Sequence, residues 1–223
     1  MTSGELIEEV YDHYIDQDKL VTIDRDPTPR STGNGLMHLG LFLTMIKAIQ
    51  NPSTADKLLV YDAVKACQVE PGVYNRYPGG VNQIAHDDIT GVVAASVAVE
   101  LEFHKDVANH CLSSGGIYNN DGVMEAKDFL ARQVIHAMYW LGMGINVAKP
   151  ILLIVLLRVM LGTSSYAVQH HFMFLEGIML KFPRLRFLRK GIIKRMGLSA
   201  ECTRYYGSQH PLTSLAKGIE ENA

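Results

Sequence analysis

Apolar residues recur at helical spacing along most of this chain, and polar or glycine-rich breaks divide the pattern into short segments. Residues 4–16 alternate charged and apolar positions on opposite helix faces. Residues 33–50 carry Leu36, Leu39, Leu43, Ile46 and Ile49 behind a Gly33-Asn34-Gly35 start. Asn51-Pro52-Ser53 punctuates, and Ser53 with Asp56 three residues on forms a capping-box pattern for a helix reaching about residue 69. Further helices are expected over 87–101, 103–114, 124–141, 150–161, 164–181, 184–196 and 213–221. In the 87–101 segment, Gly91, Ala94, Ala95, Ser96 and Ala98 would let a neighbouring helix approach closely. β-Branched alternation and Asn-Gly or Asp-Gly hairpin signatures are scarce. The pattern therefore predicts an all-α protein, one helical domain over 1–223, arranged as an incomplete α/α toroid or an irregular helical bundle.

The apolar run over 134–161 tests whether the chain enters a membrane. A spanning helix needs about 20 uninterrupted apolar residues, but Lys149-Pro150 cuts this run and Arg158 ends its second half. Pro150 suits the first turn of a new helix. Two buried helices are expected, and a membrane is not an expected partner. The acidic, amphipathic N-terminus does not resemble a secretory signal.

With 48% apolar residues and a mean hydropathy of +0.05, the 223 residues can bury a substantial core. A net charge of -2 offers no global attraction for nucleic acid, so that partner is not expected from the total. The charge is polarised, however. Residues 1–30 hold Glu5, Glu8, Glu9, Asp12, Asp16, Asp18, Asp24 and Asp26, whereas 181–204 are strongly basic with Glu201 the lone acid. Such ends read first as solvated faces that can neutralise each other within the fold or between subunits. Nucleic-acid binding by the basic run is a minor alternative. Cys67, Cys111 and Cys202 match no metal spacing and read as buried free thiols.

Chemistry concentrates at loop-to-helix junctions, where sites are commonly built. The richest junction is Tyr74-Asn75-Arg76-Tyr77-Pro78-Gly79-Gly80 followed by His86-Asp87-Asp88. Tyr74 and Arg76 can stack on and fork-bind a polar ligand such as a sugar or carboxylate. Asp87 and Asp88 fall in a first helical turn, where the helix dipole favours carboxylate and hence a base or nucleophile. A raised pKa there would need burial. His86 suits proton transfer near neutrality. The simpler alternative is a helix cap by Asp87 with a surface ion pair to Arg76. Asn34 and His38 stand one turn apart. They can face a ligand together, or serve as an N-cap and a core histidine. Tyr118, Asn119 and Asn120 follow a Gly-Gly stop and can line a glycan groove or simply form a turn. A further Tyr205-Tyr206 pair precedes His210-Pro211, where the last helix can start.

In their order, Gly33-Asn34-Gly35-Leu36 with His38, the Tyr-x-Arg-x-Pro loop, His86-Asp87-Asp88-x-x-Gly91, Tyr118-Asn119-Asn120 and the late Tyr205-Tyr206…His210-Pro211 form a recognisable series. It resembles a group of uncharacterised bacteriophage-encoded helical proteins from about residue 33 to residue 211. Where such proteins carry Asp-Asn-Gly-Asn-Gly, this chain has Arg30-Ser31-Thr32-Gly33-Asn34-Gly35 and lacks the acid. The resemblance implies a phage origin, with the host cytoplasm or the virion as location, and no particular reaction.

Two functions are expected as alternatives. One is an enzyme acting on a polysaccharide or cell-wall glycan, a hydrolase or lyase. His86, Asp87 and Asp88 would be catalytic, and Asn34, His38, Tyr74, Arg76, Tyr118, Asn119 and Asn120 would bind substrate. Adjacent carboxylates point about 100° apart on a helix, so a glycosidase would need a second carboxyl, with Asp24 or Asp26 as donors. The other is a structural virion component contacting virion proteins or copies of itself. No P-loop, Rossmann or zinc pattern names a cofactor.

Overall fold

The apolar spacing over 33–50 does form a helix, but one buried on every side rather than along a stripe. The computed structural model describes residues 1–27, 34–80, 86–113, 168–181 and 186–222. In it α2 spans Gly35–Ile49, and every residue from Gly35 to Ile46 is buried. A helix without a polar face is a core element, and the others gather round it.

Before it comes α1, Ser3–His13, whose Thr2 and Glu5 form a capping box; it stops three residues short of the expected end. The chain then runs as an extended loop with an isolated bridge pairing Ile15 and Val21. After α2, Ser53 caps α3, Thr54–Cys67, as its spacing predicts. The Asp56 N–H donates to Ser53 Oγ at 3.2 Å, and the Ser53 N–H donates to Asp56 Oδ2 at 2.5 Å. Tyr11 of α1 also donates its hydroxyl to Asp56 at 2.5 Å, tying the cap to the first helix.

An antiparallel hairpin of β1, Gln68–Glu70, and β2, Val73–Tyr74, stands where helix end and loop were expected. Its turn needs Gly72, held at φ +85°, with a would-be Cβ only 2.3 Å from the Asp106 carbonyl oxygen. Next come α4, His86–Ala98, and α5, Phe103–Ser113. Past the undescribed stretch lie α6, Val168–Lys181, α7, Arg186–Met196, α8, Leu198–Tyr206, and α9, Pro211–Asn222.

The described residues thus carry nine helices and one two-stranded sheet, and the protein is all-α. The expected helices at 124–141 and 150–161 lie outside the described residues. So do the whole 134–161 apolar run and any closure into a toroid. No described helix is long and apolar enough to cross a membrane.

The closest packing joins α2 to α4. A Cβ on Gly40 would fall 2.4 Å from the Gly91 Cα, and one on Gly91 only 2.0 Å from the Leu36 carbonyl oxygen. The small residues of α4 therefore do let the two backbones touch, as the sequence predicts. Against this pair pack α3, α5, α6 and α9, with α1 laid on α9 and α8 on both α6 and α9. One contiguous core runs through them, from Val10 of α1 to Ile219 of α9. Cys67 and Cys202 lie in it as free thiols, and burial pushes the Cys67 thiol up to about 12. The Cys111 side chain is outside the description.

Candidate functional site

The first turn of α2, the loop after β2, the first turn of α4 and the end of α8 meet in one polar network. At its centre is Asp88, wholly buried at 0% exposure. Its Oδ2 accepts from Arg76 Nε at 3.3 Å, and its Oδ1 accepts the Met37 backbone N–H at 3.4 Å. Met37 is the third residue of α2, so Asp88 supplies the N-terminal acceptor that a local cap would ordinarily provide. Asn34 occupies the N-cap position of α2 without making a side-chain cap. Its Oδ1 accepts from Arg76 Nη2 at 3.1 Å and its Nδ2 donates to the Tyr205 hydroxyl at 3.4 Å. Arginine can only donate, and that fixes which way the amide faces. The N-cap role expected for Asn34 is thus corrected: its amide bridges the loop to α8 instead.

Burial decides the protonation of Asp88. Enclosure raises its pKa to about 7, against the Arg76 guanidinium and the Met37 N–H, which both lower it. The carboxylate-favouring dipole expected at this helix start is outweighed, because a wholly dry carboxyl has no water to solvate its charge. Asp87, one residue earlier, turns away and pairs with His170 Nε2 of α6 at 3.4 Å. The expected surface ion pair of Asp87 with Arg76 is therefore not formed, and the residues before His86 that a cap would involve lie outside the described residues. The ion pair belongs to Asp88, and it is buried on the acid's side.

A second group of rings adjoins through Tyr205. His38 is fully buried, with Nδ1 2.7 Å from the Tyr206 hydroxyl, while its buried Nε2 has no hydrogen-bond partner among the described residues. The ring stands 5.5 Å from Tyr205 and 5.2 Å from Tyr206 between centroids. Tyr206 in turn lies 4.8 Å from His210, which contacts Tyr14 at 4.4 Å. His210 Nδ1 accepts the Leu212 N–H at 3.1 Å, capping α9, and Nε2 donates to the Thr22 carbonyl at 3.3 Å. Burial holds His38 down at about 3, helped by neighbouring His210, and holds His210 down at about 4 despite the Thr22 bond. Both are neutral rings built into the core.

Among the expected site residues, the structure joins Asn34, Arg76 and Asp88 directly and brings His38 beside them through Tyr205. Tyr74 is a correction. Its side chain is entirely buried and burial raises its phenol above the ordinary value, so it packs in the core and cannot stack on a ligand. Asp24 and Asp26 are exposed, and Asp26 is held by His13 at 2.7 Å. Neither joins the Asp88 network. The His86 side chain and Tyr118, Asn119 and Asn120 lie outside the described residues. Among the described residues no three His, Cys, Asp or Glu side chains gather to hold a metal.

Sequence reasoning missed a buried ion pair between Glu176 and Arg189, 2.7 Å apart, because nothing in either helix's spacing marks the other. It also left His170 unassigned. Tyr205 and Tyr206 stood out as a motif, but their bonds to Asn34 and His38 span 171 and 168 residues. Comparison with family models, with curated proteins and with solved structures gives no match for this chain.

Proposed function

We propose that this chain is a phage-encoded structural protein, a tail- or capsid-associated part of the particle, in which the Asp88 network fastens helix ends together. The observation that carries this reading is the state of Asp88. Both of its oxygens are engaged and none of its surface is exposed. A catalytic carboxylate must reach the substrate's reacting atoms within hydrogen-bond distance, whereas this one is spent on a helix terminus and an arginine. The phage origin rests on the ordered motifs that resemble phage proteins, and the opposite charges of the chain's two ends suit contacts between subunits.

A second reading, a hydrolase or lyase acting on a glycan within an α/α toroid, is favoured by one observation. Arg76, Asn34 and Tyr205 are only partly buried and stand over an acid whose pKa of about 7 suits proton transfer at neutral pH. Against it, glycoside hydrolysis calls for a second carboxyl roughly 5–10 Å away. Asp87, the nearest in sequence, is turned to His170.

Mass spectrometry of purified particles, paired with assays of the chain on host cell-wall glycan, separates the two. The structural reading expects many copies per particle and no sugar release. Absence from particles, with sugar release that Asp88→Asn abolishes while the fold is retained, would establish the enzyme.

A further inference from the structure

Helix α7 presents an unusual outer face. Arg186, Phe187, Leu188, Lys190, Lys194 and Arg195 are exposed, and Phe187 keeps 78% of its surface in solvent. At about 100° per residue, Lys194 lies almost in line with Phe187. Lys190 and Arg186 flank it on one side and Arg195 on the other. The helix contains no acid. Its remaining arginine, Arg189, turns inward to Glu176, and Lys190, Lys194 and Arg195 make no ion pair among the described residues. Phe187 is thus an exposed ring outside the core, set among cations.

We infer that this face binds single-stranded nucleic acid, with Arg186, Lys190 and Lys194 tracking the phosphates and Phe187 stacking on a base. The row from Arg186 to Lys194 is about 12 Å long at 1.5 Å per residue, enough to follow a short stretch of backbone with its three cations. Basic grooves interleaved with exposed aromatics are how proteins hold single strands without reading sequence. The chain's net charge of -2 does not prevent this. At 0.1 M salt charges act over about 10 Å, so the cations of α7 act locally, with Glu176 as the acid that faces Arg186 and Arg189. An anionic bilayer is a poorer fit. The apolar side of α7, with Ile193 and Met196, is already buried in the fold, which leaves Phe187 and Leu188 to insert. The inference does not depend on the role of Asp88.

The test is fluorescence anisotropy of the full chain with a labelled oligothymidylate of about twelve nucleotides, within the usual site sizes. Binding should weaken with salt between about 50 and 200 mM, with a log–log slope of roughly -2 for three neutralised phosphates. Lys190→Glu with Lys194→Glu should weaken it at least about tenfold and flatten the slope. Phe187→Ala should weaken it about fivefold or more with the slope unchanged, as lost stacking does. All three positions are exposed, and circular dichroism would verify that the fold persists. No binding at the lowest salt would overturn the inference, as would binding indifferent to the lysine reversals. An unaffected Phe187→Ala variant would overturn the stacking. Binding to phosphatidylglycerol vesicles without binding to the oligonucleotide would assign the face to a lipid surface instead.

Discussion

Asp88 shows how a single carboxyl can be decided by competition. Burial favours its protonated form, while Arg76 and the start of α2 favour the charged one, and burial prevails at a pKa of about 7. An unfolded aspartate titrates near 3.9, so between about pH 4 and 7 the folded chain holds a proton that the unfolded chain has lost. Stability from this group is therefore full below the unfolded value and is lost as pH rises through about 7, by at most about 1.4 kcal/mol per unit. Urea unfolding of the Asp88→Asn variant should lack that slope; a slope identical to the parent's would refute the assignment. Tyr206→Phe tests the neighbouring ring. It removes the hydroxyl beside His38 Nδ1, the one hydrogen-bond partner the ring has among the described residues, a loss of about 1–3 kcal/mol on the same measurement.

Between helices, the contact of α2 with α4 depends on two absent side chains. Gly91→Ala would set a methyl 2.0 Å from a backbone carbonyl oxygen that cannot rotate aside. Alanine is the better helix former by about 1 kcal/mol, yet overpacking of about 1–3 kcal/mol or more should outweigh it. The urea midpoint should fall, and a rise would show that the helices separate easily. This is also the scale at which the sequence was most legible. Local spacing carried α2, the Ser53–Asp56 cap and the small-residue face of α4. It failed where partners are remote. Tyr74 sits amid polar neighbours, and only the fold buries it. The short, polar α8 follows immediately on Gly197, at φ +66°, and is fixed by residues far away in sequence. The site was legible as a set of junctions, since Asn34, Arg76 and Asp88 do meet. Its purpose was not, because the acceptor for α2 comes from another helix.

Across the whole molecule, two buried neutral histidines set the acid limit. His38 and His210 are held at about 3 and 4, below the roughly 6.5 of an unfolded histidine. Their contribution is full above that unfolded value and is lost as pH falls toward the folded ones. It runs opposite to that of Asp88. Thermal unfolding should therefore reveal destabilisation below about pH 6.5 that His210→Asn reduces. A variant as acid-sensitive as the parent would place the limit elsewhere.

The bond from Asp88 to Met37 also bears on how the chain is made. The acceptor that closes the start of α2 lies 51 residues further along. At about 5–20 residues per second, synthesis would deliver it some 3–10 seconds after Met37. Until then a helix destined for burial over twelve consecutive residues has α1 and α3 beside it but lacks α4, its most closely packed neighbour. Nascent chains ending before Asp88 are thus the ones that need a chaperone's shelter, and those that include α4 are the first able to release it.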